Sequence, residues 1–338
     1  MNLTPLMLAC GKGLIFSLAL TPIVRDIFRS YNVVDRPGRR KVHAYPIPRV
    51  GGIPIALAYL IALNALRGPG SVFPLHWLQT VLSGAAIIFV TGLVDDFLNL
   101  SPLTKLAGQI AAAVVAFFSG LSIDSFGNTA LPQWASLLIT VFWLLLTTNA
   151  MNLIDGLDGL CGGAAFWATL AFAAIGLMRG NDLLAFTALP LAGALLGFLA
   201  FNFNPATVFL GDSGALTIGF LLGSFGIVWT GHNVTGQGVA IPLLALAVPM
   251  LDLGLAIVRR KLRGRHIFAA DRGHIHHRLL DRGFSVRKSA LILYAVGIVG
   301  GLFGLMLSYT GHHPMLRFTV LALLAAAAFA GIRELRYP

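Results

Sequence analysis

NAMNLIDGLDGLCGG, residues 149–163, sets two carboxylates, Asp155 and Asp158, and two carboxamides, Asn149 and Asn152, between two apolar runs. Each run can cross a bilayer, whose hydrocarbon core takes about 20 residues of helix. Polar groups kept at such a place are costly and mark a functional site. The fold this predicts is a membrane bundle, with its chemistry where helices meet water.

Composition agrees. Of 338 residues, 57% are hydrophobic and only 11% charged, which excludes an ordinary soluble domain and indicates a polytopic membrane protein. Twelve of the 13 acids are Asp and one, Glu334, is Glu, an inventory that suits short, stiff ligands more than a solvated helical surface. Cys10 and Cys161 have no metal-ligand spacing and read as core thiols.

Working outward, the apolar segments predict an all-α polytopic integral membrane protein with about 11 transmembrane helices. The expected spans are 5–24, 51–67, 77–94, 105–121, 134–149, 160–178, 183–201, 214–230, 238–258, 289–309 and 316–332. The first has no small-residue cleavage site and reads as retained. The chain reads as a single polytopic domain over 1–338, with two long loops inside it, 25–50 and 259–288. These loops carry seven and ten of the 24 Lys and Arg, so both belong on the cytoplasmic side. An odd span count then puts the N-terminus outside and the C-terminus in the cytoplasm. Asp95, Asp96, Asp155, Asp158 and Asp212 all reach the cytoplasmic face, while Asp252 lies inside span nine with no role that the sequence assigns.

Four further segments carry chemistry. GLVDDFLNL, 92–100, puts Asp95 beside Asp96, and two adjacent carboxylates ionise together when a cation or a lysine such as Lys105 neutralises them. FNFNPATVFLGDSGAL, 201–216, puts Asp212 before another span, whose first amides could meet an anion or be capped by Asp212 or Ser213. All-oxygen ligands favour Mg²⁺ or Mn²⁺ over zinc. DRGHIHHRLLDRG, 271–283, reads as a loop in which three His and three Arg suit phosphate oxygens, with a metal cluster as the rival reading. The first loop ends in PRVGG, where Arg49 precedes a close-packed turn. A pocket of acidic metal ligands ringed by cations at the bilayer edge suits a polyphosphate from water and a co-substrate from the membrane. Two other classes compete: a prenyltransferase with paired Asp clusters and Mg²⁺, and a secondary transporter. The first would show a second helical Asp cluster, and the second internal repeats. The chain shows neither.

Across residues 35–288, the ordered motifs PRVGG, VDDFLNLSPLTK, NAMNLIDGLDGL, FNFNPATVFLGDSG and HIHHRLL resemble those of the polyprenyl-phosphate N-acetylhexosamine-1-phosphate transferases of glycosyltransferase family 4. The HIHHR form is similar to the N-acetylglucosamine branch and unlike the HHHFE pattern of the peptidoglycan branch. The resemblance implies transfer of N-acetylhexosamine 1-phosphate, with GlcNAc as the expected sugar, from a UDP-sugar to undecaprenyl phosphate. UMP leaves, and the step begins a cell-surface polysaccharide such as O-antigen or teichoic acid. It implies Mg²⁺, or Mn²⁺, held by Asp212 and Asn152, and catalysis by Asp95 and Asp96. For substrate binding it implies Asn149, Asp155, Asp158, Asn202 and Phe209 at the nucleotide, and His274, His276, His277 and Arg278 at the sugar and pyrophosphate. Arg49 and Lys105 complete the expected substrate-binding set. Asn99 stands where some relatives carry a third Asp. The expected partners are the UDP-N-acetylhexosamine, undecaprenyl phosphate, membrane lipid and a second copy in a homodimer, with no nucleic acid. The expected location is the bacterial inner (plasma) membrane, with the site facing the cytoplasm.

Overall fold

The computed structural model describes residues 3–35, 45–66, 75–126, 129–231, 238–264 and 273–309. Its helices are α1 (Thr4–Ser30), α2 (Gly52–Asn64), α3 (Leu75–Leu98), α4 (Pro102–Phe118), α5 (Gln133–Ile154), α6 (Leu160–Arg179), α7 (Asp182–Asn202), α8 (Gly211–Gly231), α9 (Ala240–Ala245), α10 (Ala247–Leu262), α11 (Ile275–Asp281) and α12 (Val286–Tyr309). Among the described residues the only sheet is a hairpin of two-residue strands, β1 (Ser125–Phe126) and β2 (Thr129–Ala130). The protein is all-α, and seven of its helices are long and apolar enough to cross a membrane. It is a multi-pass membrane protein, a fold in which every backbone polar group is satisfied within its own helix.

Local chemistry sets the ends of the helices. Ser101 caps α4 by accepting the amide of Thr104 at 3.2 Å, with Pro102 in the first turn where no amide is needed. Gly180, at φ 69°, ends α6, and Asn181 then caps α7 by accepting the Leu184 amide at 3.1 Å. Lipid-facing positions are large and apolar, as in Leu138 and Phe142 of α5 or Val299 and Leu302 of α12. Contacts between helices use small residues instead. Gly13, Gly193 and Gly197 bring the α1 and α7 backbones together so closely that no Cβ fits at any of the three.

The first ten expected spans coincide with described helices, and 316–332 lies outside the described residues, as do 36–44 and 265–272 within the two long loops. Two expectations change. Span nine is not one helix: α9 and α10 meet at Leu246, because Pro249 has no amide to bond the Ala245 carbonyl and the ladder is interrupted there. Residues 271–283 are not a loop throughout, because α11 forms within them. The core gathers round α8, which is buried along nearly its whole length and packs against α2, α3, α5, α6, α7 and α9.

Candidate active site

The helix α8 starts beside the end of α3, and one carboxylate joins them. Asp96 accepts the amides of Asp212 at 2.7 Å and Ser213 at 2.9 Å, one on each oxygen. The free amides expected at this N-terminus are therefore filled by the protein's own anion, and neither Asp212 nor Ser213 caps the helix with its side chain. Gly211 makes the approach feasible. Its φ is +76°, and a Cβ there would stand 2.8 Å from both carboxylate oxygens of Asp96.

Released from capping, Asp212 faces a cluster of polar side chains. Lys105 Nζ lies 2.8 Å from Asp212 Oδ1 and 2.9 Å from Asp95 Oδ2, so one ammonium neutralises two carboxylates. Asn152 Nδ2 donates to the same Asp212 oxygen, and Arg49 Nη2 lies 3.5 Å from the other. The second oxygen of buried Asp95 accepts the Leu100 amide at 2.7 Å, in a turn where Asn99 takes φ 50°. Asn is among the few side chains at ease in that conformation.

Arg49 is placed by backbone pairing. It forms a parallel bridge with Phe209, flanked by the Phe209 amide on Pro48 O at 2.8 Å and the Gly51 amide on Phe209 O at 2.9 Å. Burial works against the guanidinium charge, but Asp212, Asp96 and Asp155 outweigh it and hold Arg49 above its ordinary value. Half-buried Asp155 ends α5 with its carboxyl raised by desolvation to about 7, against a counter-pull from Arg49.

Other expected residues brace the site. Asn149 exchanges hydrogen bonds with Gln109 of α4, at 2.7 and 3.3 Å, one turn from Asn152. Asp158 accepts Asn204 Nδ2 at 2.9 Å and the Ala206 amide at 3.0 Å. Buried Asn202 accepts the Gly159 amide at 3.2 Å and donates to Val208 O at 2.9 Å. These bonds lace the loop after α5 to the loop after α7. Half-buried Phe209 stands in that second loop, beside Arg49.

The histidines lie against the Asp155 loop. His274 and His276 are buried and stack at 5.7 Å with planes 8° apart, and His277 is 4.3 Å from His276. Gly156 abuts the His276 ring, where an added Cβ would be 2.6 Å from Nε2. Burial, with His277 beside it, pushes the His276 imidazole down to about 4. Half-buried Arg278 follows on the same short helix. An apolar cleft of about 380 Å³ opens between α2 and α3, lined by Leu57, Leu60, Phe89 and Leu93, and ends at Gly52 and Gly214 near Asp212.

Sequence reading missed Gln109 and Tyr294, and singled out Asp252 without its partner His274. Gln109 had a signal, since it lies four residues after Lys105 on one face of an otherwise apolar helix. Tyr294, whose hydroxyl donates to the Gly159 carbonyl, had none.

The profile of glycosyl transferase family 4 matches residues 78–230. A probable undecaprenyl-phosphate N-acetylglucosaminyl 1-phosphate transferase of Bacillus subtilis is 35% identical over 292 residues, covering 85% of this chain and 80% of the relative. The chain belongs to glycosyl transferase family 4. A decaprenyl-phosphate N-acetylglucosaminephosphotransferase of Mycobacterium tuberculosis is 38% identical, covering 92% of this chain and 84% of its own. A phospho-N-acetylmuramoyl-pentapeptide-transferase of Moorella thermoacetica is 31% identical, covering 90% and 98%. Within this family frame, VDDFLNLSPLTK spans the end of α3 and the start of α4, and NAMNLIDGLDGL the α5–α6 turn. FNFNPATVFLGDSG spans the α7–α8 turn.

Proposed function

We propose that the chain transfers GlcNAc 1-phosphate from UDP-GlcNAc to a polyprenyl phosphate, undecaprenyl phosphate in the first instance, and releases UMP. The observation that carries this reading is the meeting of Asp95, Asp96 and Asp212 with Lys105, Asn152 and Arg49 at one end of a membrane bundle of this family. The names of the Bacillus and Mycobacterium relatives favour GlcNAc as the sugar and a prenyl phosphate as acceptor. The apolar cleft between α2 and α3, which reaches Gly214 two residues from Asp212, supports an acceptor that arrives from the lipid.

Mg²⁺ fits the donor set. Asp212 supplies a carboxylate, Asn152 would offer its carboxamide oxygen by turning over the amide whose NH₂ now donates to Asp212, and Lys105 already holds positive charge between Asp212 and Asp95. Among the described residues no three His, Cys, Asp or Glu form a cage. Mg²⁺ is commonly bound through one or two protein oxygens plus substrate phosphates. When bound, Mg²⁺ supplies charge stabilisation for the leaving phosphate.

The remaining chemistry belongs to the protein. An oxygen of the acceptor phosphate attacks the β-phosphorus of the UDP-sugar, the bond from that phosphorus to the bridging oxygen breaks, and UMP leaves with the electron pair. The acceptor is a phosphate monoester with a second pKa near 6, so it is mostly dianionic at neutral pH and needs little help from a base. Asp95 orients it or takes the residual proton, Lys105 and Arg49 offset the gathered phosphate charge, and Asp96 holds α8 in place. The donor lies between the Asp155 loop, Phe209 and the histidines.

In this reading the eleven spans set the N-terminus outside and the C-terminus in the cytoplasm. The site faces the cytoplasm from the bacterial plasma membrane, the product is the first lipid-linked sugar of a surface polysaccharide, and the chain works as a homodimer. Purified protein given undecaprenyl phosphate, Mg²⁺ and labelled UDP-GlcNAc tests the reaction. Lipid-dependent UMP release that EDTA abolishes is the expected result. Release only with UDP-N-acetylmuramoyl-pentapeptide would change the sugar, and silence with every nucleotide sugar would overturn the reading.

A further inference from the structure

Asp252 is a carboxylate that the reaction above leaves without a task. It lies on α10, 3% exposed, with both oxygens committed to one short segment. Oδ2 is 2.7 Å from His274 Nδ1, and Oδ1 accepts the Ile275 amide at 2.7 Å. Two turns of α10 further on, a second contact reaches the same segment: Gly273 packs so closely on the Arg259 guanidinium that an added Cβ would be 2.5 Å from it. Burying a carboxylate is costly unless its partners are fixed, so these contacts describe a template.

A carboxylate only accepts hydrogen bonds, which puts the bonded proton on His274 Nδ1 and leaves Nε2 as the ring nitrogen open to a ligand. We infer that Asp252 is a positioning residue for the nucleotide-sugar side of the site: it fixes the ring and tautomer of His274, so that His274 meets the donor through Nε2. The same carboxylate pins the first turn of α11, and the parallel rings of His274 and His276 carry that placement to the Asp155 loop. The inference rests on the donor site proposed above and adds what determines its geometry.

Asp252→Asn separates the two bonds. Its amide oxygen still accepts the Ile275 amide, but its NH₂ faces Nδ1 as a donor, which forces the His274 proton to Nε2. In ¹⁵N spectra of histidine-labelled protein, with His274 assigned through His274→Gln, the expected change is from an Nδ1–H to an Nε2–H ring. In the UMP-release assay kcat/KM for the nucleotide sugar falls on the order of 10- to 100-fold, the usual cost of losing the partner that orients a site histidine. KM for the lipid acceptor stays constant. Asp252→Glu restores part of the loss, and adding His274→Gln to Asp252→Asn costs no more than either change alone. An Nε2–H ring in the unaltered protein would overturn the inference, as would an unchanged donor kcat/KM in Asp252→Asn or losses that multiply in the double variant. Absence of UMP release from the unaltered protein would overturn the donor reading instead, and the nitrogen spectra would still decide the Asp252–His274 pair.

Discussion

Asp96, at the end of α3, caps α8 through the backbone amide of Asp212, 2.7 Å away. Two carboxylates that look alike in sequence therefore have different work, since Asp96 builds the helix end that presents Asp212.

Asp96→Asn is expected to lower stability as well as turnover. The amide can accept only one of the two N–H groups and turns an NH₂ toward the other, a loss of about 1–3 kcal/mol by the usual cost of a charged cap. Thermal unfolding in detergent checks this, and an unchanged midpoint would remove the cap from the account.

Asp212→Asn takes charge from the group that Lys105, Asn152 and Arg49 all face. UMP release should drop by about 10³-fold, several kcal/mol of lost transition-state stabilisation. The fold should persist, because the Asp212 cap contact is made by its backbone. Activity within a few-fold of the original would take Asp212 out of the site.

Lys105→Ala leaves Asp95 and Asp212 facing each other without their shared cation. In EDTA the variant should lose about 2 kcal/mol or more, as expected for breaking a largely buried pair. Millimolar Mg²⁺ should return much of that loss. Equal midpoints with and without Mg²⁺ would argue that no metal enters between these carboxylates.

Asp155 gives the protein a pH signature. Burial raises its carboxyl from 3.8 to about 7, so its contribution to stability is complete below the unfolded value and is lost as pH rises through 7. The midpoint in EDTA should fall between about pH 4 and 7 and level off above that, and Asp155→Asn should flatten that slope. A slope that survives the substitution would locate the titration elsewhere.

Much of this was legible because lipid makes sequence blunt. Nine apolar runs read as spans are single helices here, seven of them long and apolar enough to cross a membrane, and the motif residues gather at neighbouring helix ends. What could not be read was which polar group meets which. The carboxylates of Asp95 and Asp96 are one residue apart, yet one faces Lys105 and the other the α8 amides, a choice made by the approach of α8. Asn149, Asp158 and Asn202 carry motif residues' names but spend their hydrogen bonds on Gln109 and on neighbouring loops, partners visible only in three dimensions. Asp252 lay too far in sequence from His274, 22 residues, for any spacing rule to join them.

The burial of α8 on every side has a consequence for how the protein matures. Asp212 travels on a helix with no lipid-facing stripe, and its partners arrive separately on α3, α4 and α5. Until those neighbours have closed around it, a half-inserted chain holds scattered acids and no reaction centre. Activity in the proposed reaction thus doubles as a certificate of completed assembly.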